Sequence, residues 1–241
     1  MWLLSLAVMV AVATRYWAEL SSLGRCALHA ALRLCRGKAC VRSTHAFVFV
    51  NCTHGKAQSV LETFDLYARA HPSLAIGREK GEYVEEVVRR VAPNQALELG
   101  THCGYSSIRI LRALPPSGRL LTVEKDLVTA DAGEEIILVA GFKNTQFQVL
   151  TSPSVEAITH LHSHLGDKLV ELVLMDHDVQ QYLPDLMLLE SRGLLATGCV
   201  LLANNVQLSG ARSFLDYIRS QPGRYCINNL TQGLLELNWC P

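Results

Sequence analysis

The stretch Gln95-Ala-Leu-Glu-Leu-Gly-Thr-His-Cys-Gly-Tyr-Ser-Ser107 decides the fold of this 241-residue chain. It begins as a short apolar run, breaks at Gly100, passes a second glycine at Gly104 and starts a helical pattern at Ser106. A buried strand that runs through a glycine turn into a helix N-terminus forms a binding site for a nucleotide-like ligand. The stretch therefore predicts an α/β fold with a ligand site at the end of its first strand.

The spacing of the two glycines restricts which ligand this turn can hold. The pattern is Gly-x-x-x-Gly, which lacks the closely spaced glycines that let a backbone approach a pyrophosphate, and no Walker pattern is present. A ligand with a ribose and a charged amino-acid end, but no phosphates, fits better. Glu98 before the turn and Glu124 after the next apolar run suit recognition of the ribose and the amine. The alternatives are a purely structural turn and a solvated loop acid.

Strand and helix patterns alternate along the rest of the chain. The predicted strands are Ala96–Leu99, Leu120–Val123, Phe147–Leu150, Val170–Met175 and Cys199–Leu202. The predicted helices are Ala57–Ala70, Glu79–Val91, Ser106–Leu114, Thr129–Ala140, Ser154–Leu165, Leu183–Arg192 and Ala211–Ser220. This alternation indicates a parallel sheet with helices on both faces, so we expect one doubly wound, Rossmann-like domain over residues 44–241. Arg224–Asn229 and Gly233–Leu237 are predicted to form an edge hairpin.

Length, charge and cysteine usage exclude several classes of protein. A chain of 241 residues holds one α/β domain and a short extension. Its 22 basic residues balance 22 acidic ones, which gives no support for a nucleic-acid partner. The eight cysteines form no CxxC pair, which argues against a zinc site. A reducing compartment is the simpler interpretation, and a lumenal one stays open.

The first 19 residues predict a membrane anchor. Residues 1–14 carry no charge, and Arg15-Tyr-Trp17 provides the basic and aromatic flank found at membrane interfaces. The alternative is a cleaved signal peptide, because the apolar run is shorter than about 20 residues. Residues 20–43 form a basic linker, and the six basic residues and one acid between Arg15 and Arg42 place the following domain in the cytosol by the positive-inside rule. Endoplasmic reticulum and plasma membrane both fit.

Polar side chains follow the fourth and fifth predicted strands. Leu172-Val-Leu-Met-Asp176-His177-Asp178 and Leu201-Leu-Ala-Asn204-Asn205 end in acids and amides. Because open α/β sheets bind ligands at the carboxyl ends of their strands, Asp176, Asn204 and Asn205 are expected to form an all-oxygen cluster of the type Mg²⁺ favours. One carboxylate and two amides make a weak cation site. The alternative is that these groups only cap the loops.

The chain resembles the catechol O-methyltransferase family, including its membrane-anchored relatives, over roughly residues 45–237. The matching stretches are Gln58-Ser-Val-Leu-Glu62, Leu97-Glu-Leu-Gly, Cys103-Gly-Tyr-Ser, Leu120-Leu-Thr-Val-Glu124, Ala140-Gly-Phe, Met175-Asp-His177, Tyr182-Leu-Pro-Asp, Leu188-Leu-Glu190, Leu201-Leu-Ala and Asn205-Val206. They occur in the family's order. The resemblance implies a class I S-adenosylmethionine-dependent O-methyltransferase that uses Mg²⁺ to transfer a methyl group to a hydroxyl of catechols or catecholamines.

The resemblance also implies roles for individual residues. The cofactor-binding residues would be Ile76, Gly100, His102, Tyr105, Ser106, Glu124, Ser154 and His177. Glu124 would hold the ribose, and Ser106 with nearby backbone the methionine end. The metal ligands would be Asp176, Asn204 and Asn205. Glu236 would be the glutamate that holds the second substrate hydroxyl.

Departures from the family pattern fall on the substrate side. Asn204 replaces a metal carboxylate, and Val179 replaces the lysine that acts as general base. Asp178 replaces a tryptophan. His177 or Asp178 would have to accept the proton in place of the lysine, or the metal alone would acidify the hydroxyl. Asp178 could also offer a carboxylate to the ion. The residues that clamp the catechol ring fall at Pro72 and Ser209, two further replacements.

Two hypotheses about function follow. The first is an active O-methyltransferase with an altered substrate and a weakened dependence on Mg²⁺. The second is a catalytically silent, membrane-tethered relative that acts by binding a protein partner. We also expect the family's last strand to be mostly missing, because Pro241 follows soon after Glu236.

Overall fold

A seven-stranded sheet organises the structure, a computed structural model that describes residues 41–71 and 75–241. The strands are β1 (Gln95–Leu99), β2 (Arg119–Glu124), β3 (Phe147–Thr151), β4 (Val170–Met175), β5 (Leu195–Ala203), β6 (Tyr225–Thr231) and β7 (Leu234–Trp239). Their order is β3-β2-β1-β4-β5-β7-β6. The first five are parallel, and β7 pairs antiparallel with both β5 and β6. The predicted α/β fold with an edge hairpin is confirmed.

The helices occupy both faces of this sheet. Helix α1 covers residues 41–51. The others are α2 (Ala57–Ala70), α3 (Arg78–Val91), α4 (Tyr105–Leu111), α5 (Leu127–Val139), α6 (Ser154–Thr159), α7 (His162–Leu165), α8 (Tyr182–Ser191) and α9 (Arg212–Ser220). A 3-10 turn at Ser209–Ala211 precedes α9. Helix α1 contributes Val41 and Val48 to the core, so the packed residues include one that precedes the predicted boundary at residue 44.

Successive residues of each central strand enter two different apolar layers. Ala96 and Leu172 pack with α1 to α5, whereas Leu97 and Val173 pack with α6 to α9. Both faces of the parallel strands are therefore buried, which explains why these strands appear in the sequence as continuous apolar runs rather than alternating ones.

The edge of the sheet at which a ligand is expected lies at the carboxyl ends of the neighbouring strands β1 and β4. Neighbours are added outward from these two strands in opposite directions, which opens a crevice at their carboxyl ends. The backbones are close here, since the N–H of Asp176 donates to the carbonyl of Leu99 at 2.8 Å. Gly100 has φ of 108°, and a Cβ at this position would lie 2.6 Å from the carbonyl oxygen of Asp176. Only glycine suits this position.

The predicted helix Ser154–Leu165 is wrong as one element, because the structure divides it into α6 and α7. The carbonyl of His160 accepts both the N–H of Ser163, at 3.0 Å, and its hydroxyl, at 2.7 Å. A serine side chain that bonds locally to the backbone competes with the i to i+4 pattern of an α-helix. The chain therefore turns at His160 instead of continuing straight.

The expectation of a mostly missing last strand is also wrong. Strand β7 runs from Leu234 to Trp239 and pairs with β5 from Val200↔Asn238 to Ala203↔Leu235. The chain reverses at Gln232 and Gly233, both with positive φ, which brings β7 back between β5 and β6. This tight turn leaves enough residues before Pro241 to complete the strand.

The predicted anchor at residues 1–19 and most of the predicted linker at 20–43 lie outside the described residues, as does Pro72. Within residues 41–71 and 75–241, no helix combines the length and the apolar character needed to cross a membrane.

Gly100→Ala is expected to lower the free energy of unfolding by roughly 1–3 kcal/mol, from backbone strain together with the collision at Asp176. Gly166→Ala is the matched control, because Gly166 has φ of 62° but no atom within 4 Å of an added Cβ. Urea unfolding of both variants measures the difference. Equal losses would contradict a special requirement for glycine at the β1–β4 contact.

Candidate functional site

A cavity of about 570 Å³ opens at the carboxyl ends of β1, β2 and β4. Its volume is in the range of small-molecule sites. All the residues predicted from the resemblance to bind the cofactor line it: Ile76, Gly100, His102, Tyr105, Ser106, Glu124, Ser154 and His177. Asp176, Asp178 and Asn205 line it as well. The fold therefore gathers residues from six separate segments of sequence at one place.

Glu124 ends β2 and presents a fixed carboxylate to this cavity. Its Oε2 accepts the backbone N–H of His102 at 3.1 Å, and its Oε1 accepts that of Asp126 at 3.2 Å. Each carboxylate oxygen has more than one lone pair, so both keep acceptor capacity for a ligand. Two neighbouring acceptors of this kind suit the adjacent hydroxyls of a ribose.

Two histidines in the cavity wall have unpaired ring nitrogens. Nε2 of His102 and Nδ1 of His177 are buried without a hydrogen-bond partner among the described residues. Burial lowers the pKa of His102 to about 4, so its ring is neutral at physiological pH. His177 Nε2 lies 2.8 Å from Oδ2 of the buried Asp185, which orients the ring and leaves Nδ1 as the acceptor of the neutral form. Because buried polar atoms are normally paired, these nitrogens indicate a site built to receive a polar ligand.

Glu98 has a structural role, contrary to the prediction that it contacts the amine of the ligand. It is fully buried and does not line the cavity. Its carboxylate accepts hydrogen bonds from the hydroxyls of Ser107 and Thr122, the latter at 2.6 Å. Burial raises the pKa of Glu98 to about 7, although the hydroxyls of Ser106, Ser107 and Thr122 act to lower it. The side chain joins β1 to β2 and α4.

The substrate side of the site is built from the segment after β4. Asp178 lines the cavity, and its Oδ1 accepts the backbone N–H of Gln180 at 3.1 Å. Val179 packs on the apolar layer and on Gly210, where an added Cβ would lie 2.8 Å from its Cγ2. Ser209 begins the 3-10 turn next to this contact. Where the family has a basic residue, this chain therefore has an apolar contact.

Two of the three predicted metal ligands, Asp176 and Asn204, are in contact, but a lysine joins them. Asn204 Nδ2 donates to Asp176 Oδ1 at 2.7 Å, and Lys80 Nζ donates to Asn204 Oδ1 at 2.7 Å. Burial raises the pKa of Asp176 to about 7, Glu98 raises it further, and Asn204 and Lys80 act to lower it. Lys80 is not predictable from the sequence, because it lies in α3 and no local pattern indicates which way its side chain points.

This set of donors does not fit Mg²⁺. The ion needs oxygen ligands, but the amide oxygen of Asn204 already accepts from the ammonium of Lys80, and the amide hydrogens face Asp176. The described residues also contain no group of three or more His, Cys, Asp or Glu side chains suited to hold a metal. Asn205 has φ of 57° and lines the cavity, but one further amide does not replace the missing charge.

Glu236 is not brought into the cavity, so its predicted contact with substrate is not supported. It lies on the α3 side of β7, where Oε1 accepts from Arg90 at 2.6 Å and from Asn228 at 2.9 Å. Its Oε2 accepts the hydroxyl of Tyr83 at 2.5 Å. These residues line a separate pocket, in which both oxygens of Glu236 are already occupied.

A buried ionic network fixes the wall formed by Tyr105. The tyrosine hydroxyl donates to Asp65 at 2.8 Å and accepts from Arg109 at 2.8 Å, and Arg109 also donates to Glu85 at 2.9 Å. Gly81 makes room for this network, since a Cβ there would lie 3.1 Å from both Arg109 and Tyr105. Arg109 lies between Ile108 and Ile110 in α4, and this basic residue in an apolar run is the sequence signal that could have revealed the network.

Comparison with known proteins places the chain among methyltransferases. A profile described as O-methyltransferase matches residues 55–221. The transmembrane O-methyltransferase homolog of Rattus norvegicus is 37% identical over 222 residues, which cover 91% of this chain and 86% of the relative. Catechol O-methyltransferase B of Danio rerio is 39% identical over 171 residues, which cover 70% of this chain and 64% of the relative.

Solved structures give the same fold. An O-methyltransferase from Bacillus cereus in complex with SAH superposes with a TM-score of 0.64 at 20% identity, covering 76% of this chain and 90% of that one. The O-methyltransferase TomG from Streptomyces achromogenes, in complex with SAM, gives 0.59 at 21% identity, covering 80% and 92%. At these identities the likeness concerns the fold alone.

Proposed function

Because the chain belongs to the O-methyltransferase family, we propose that it transfers the methyl group of S-adenosylmethionine to a hydroxyl of a catechol-like small molecule. One observation carries the proposal: every residue predicted to bind the cofactor lines the same cavity. The residues come from distant parts of the sequence, so their convergence is a property of the fold.

The cavity has the features needed to hold S-adenosylmethionine, which would supply a methyl group activated by a sulfonium. Glu124 would accept the two ribose hydroxyls, and Gly100 lets the ligand approach the backbone. The unpaired nitrogens of His102 and His177 would bond to polar atoms of the bound cofactor or substrate. Ser106 and Ser154 add hydroxyls, and Ile76 and Tyr105 add apolar contact.

The remaining task of the protein is to orient the substrate hydroxyl and take its proton. Val179 has no proton-accepting atom, so another group must act. We propose His177, because Asp185 fixes its ring with Nδ1 free and because a positioned imidazole is an effective general base. Asp178 is the second candidate at the same cavity. Since the donors of the predicted metal cluster do not fit Mg²⁺, no step is assigned to the ion.

The substrate class rests on the family. Catechol O-methyltransferases are among the relatives at 38–39% identity, which supports a small aromatic hydroxyl compound such as a catechol or catecholamine. The site differs at Val179 and Ser209, where the family has a basic residue and a ring-clamping residue. We therefore propose an altered preference among such compounds.

Glu124→Gln is expected to weaken S-adenosylmethionine binding by roughly 10- to 100-fold, since it removes charge-assisted hydrogen bonds to the ribose. Isothermal titration calorimetry on the full chain measures the change. Glu82→Gln is the control, because that exposed carboxylate pairs with Arg78 on the surface of α3. An unchanged affinity for Glu124→Gln would refute ribose binding at this residue.

His177→Gln is expected to lower kcat by roughly 10²- to 10⁴-fold at saturating S-adenosylmethionine, because it removes the proposed proton acceptor. The assay follows radiolabelled methyl transfer to a panel of catechols. Asp178→Asn serves as the comparison and should keep kcat within about tenfold of the parent chain. If Asp178→Asn lowers kcat more than His177→Gln does, Asp178 rather than His177 accepts the proton.

A second candidate function is a catalytically silent protein that uses this fold to bind a protein partner. The apolar contact of Val179 with Gly210 favours it, because it occupies the position of the family's base. The same measurements separate the two. Calorimetric binding of S-adenosylmethionine without methyl transfer to any catechol would replace the first function with the second.

We also propose that residues 1–19 anchor the protein in a membrane with the folded domain in the cytosol. The relatives named transmembrane O-methyltransferase, including that of Homo sapiens at 37% identity, support membrane association. The full chain should stay in the pellet when cell membranes are extracted with alkaline carbonate. Release into the supernatant would argue against an anchor.

A further inference from the structure

Three side chains from three elements form a continuous chain of hydrogen bonds beside the cavity. Lys80 of α3 donates to the amide oxygen of Asn204 after β5, and the amide nitrogen of Asn204 donates to Asp176 after β4, each at 2.7 Å. Asp176 lines the cavity, whereas Lys80 and Asn204 lie behind it. The chain connects α3 to the reaction side of the sheet.

The direction of these bonds follows from the chemistry of the two end groups. An ammonium can only donate, and an ionised carboxylate can only accept. The amide between them must therefore present its oxygen to Lys80 and its nitrogen to Asp176. A cation shared by Asp176 and Asn204 would require the reverse orientation, which would place the amide hydrogens against the ammonium.

Backbone contacts and burial hold Asn204 in the position that places its amide between Lys80 and Asp176. Its N–H donates to the carbonyl of Met175 at 2.9 Å, and its carbonyl accepts the hydroxyl of the buried Tyr182 at 2.9 Å. Asn204 is only 2% exposed. The residue cannot turn away from Lys80 without breaking bonds inside the protein.

The charges lead to the same conclusion. When Asp176 is ionised, the ammonium, the neutral amide and the carboxylate sum to zero, so charge balance in this form of the cluster requires no further ion. We infer that Lys80 takes the place of a divalent cation. It acts through Asn204 as a positioning residue for Asp176, and it thereby makes methyl transfer independent of metal. The kinetic part of this inference rests on the proposed function, whereas the part on cation binding does not.

Mn²⁺ binding to the full chain, followed by electron paramagnetic resonance, tests the cation part directly. The parent chain should bind no Mn²⁺ at this cluster. The double variant with Lys80→Met and Asn204→Asp should bind it, because two carboxylates then face each other without the ammonium. Its affinity should exceed that of Asn204→Asp alone by roughly 10- to 100-fold, since Lys80 still neutralises the new acid in the single variant.

Lys168→Met is the control for removal of a lysine charge, because Lys168 is exposed. It should leave Mn²⁺ binding unchanged. Circular dichroism confirms that each variant is folded. If the double variant does not fold, Lys80→Met and Asn204→Asp are compared singly with the parent chain. The inference would be overturned if the parent chain binds Mn²⁺ and Lys80→Met does not strengthen that binding.

Assays of methyl transfer test whether activity is independent of metal. Activity of the parent chain should be the same with Mg²⁺ and with EDTA, and loss of activity in EDTA would overturn metal independence. Failure of the proposed function has a different signature. A chain that binds no S-adenosylmethionine would refute the methyltransferase proposal, yet the Mn²⁺ measurements on Lys80 and Asn204 would stand unaffected.

Discussion

The close contact between the ends of β1 and β4 is the constraint on which the rest of the site depends. Asp176 N–H bonds to the carbonyl of Leu99, and Gly100 lies against the backbone of Asp176 with no room for a side chain. Because the sheet is extended in opposite directions from these strands, a crevice must open just beyond the contact. The cavity and both halves of the candidate site are consequences of that junction.

The two halves of the site differ in how their polar groups are satisfied. On the cofactor side, Glu124 keeps acceptor capacity, and His102 and His177 keep unpaired nitrogens, so this side is prepared for a ligand. On the substrate side, Asn204 is bonded at both ends of its amide, and Val179 is packed on apolar neighbours. The residues that depart from the family pattern at these two positions therefore have partners within the protein.

The two failed predictions about acids of the site, Glu98 and Glu236, share one physical cause. Glu98 and Glu236 both lie on strands near the site and both accept from donors elsewhere in the chain, Glu98 through Oε2 alone and Glu236 through both oxygens. Spacing along the chain could not show that Thr122 reaches one and Arg90 the other. Lys80 was missed for the same reason, since its partner Asn204 is 124 residues away.

The sequence by itself determined the alternation of strands with helices along the chain, the glycine at the β1 turn and the set of predicted residues that lines the candidate cavity. These follow from local periodicity, from backbone conformation at Gly100 and from the family motifs. Only the tertiary structure decided which polar groups meet across the sheet. Hydrogen bonds and ion pairs form between side chains that the fold brings together, so the link from Lys80 through Asn204 to Asp176 exists only once α3, β4 and β5 are packed.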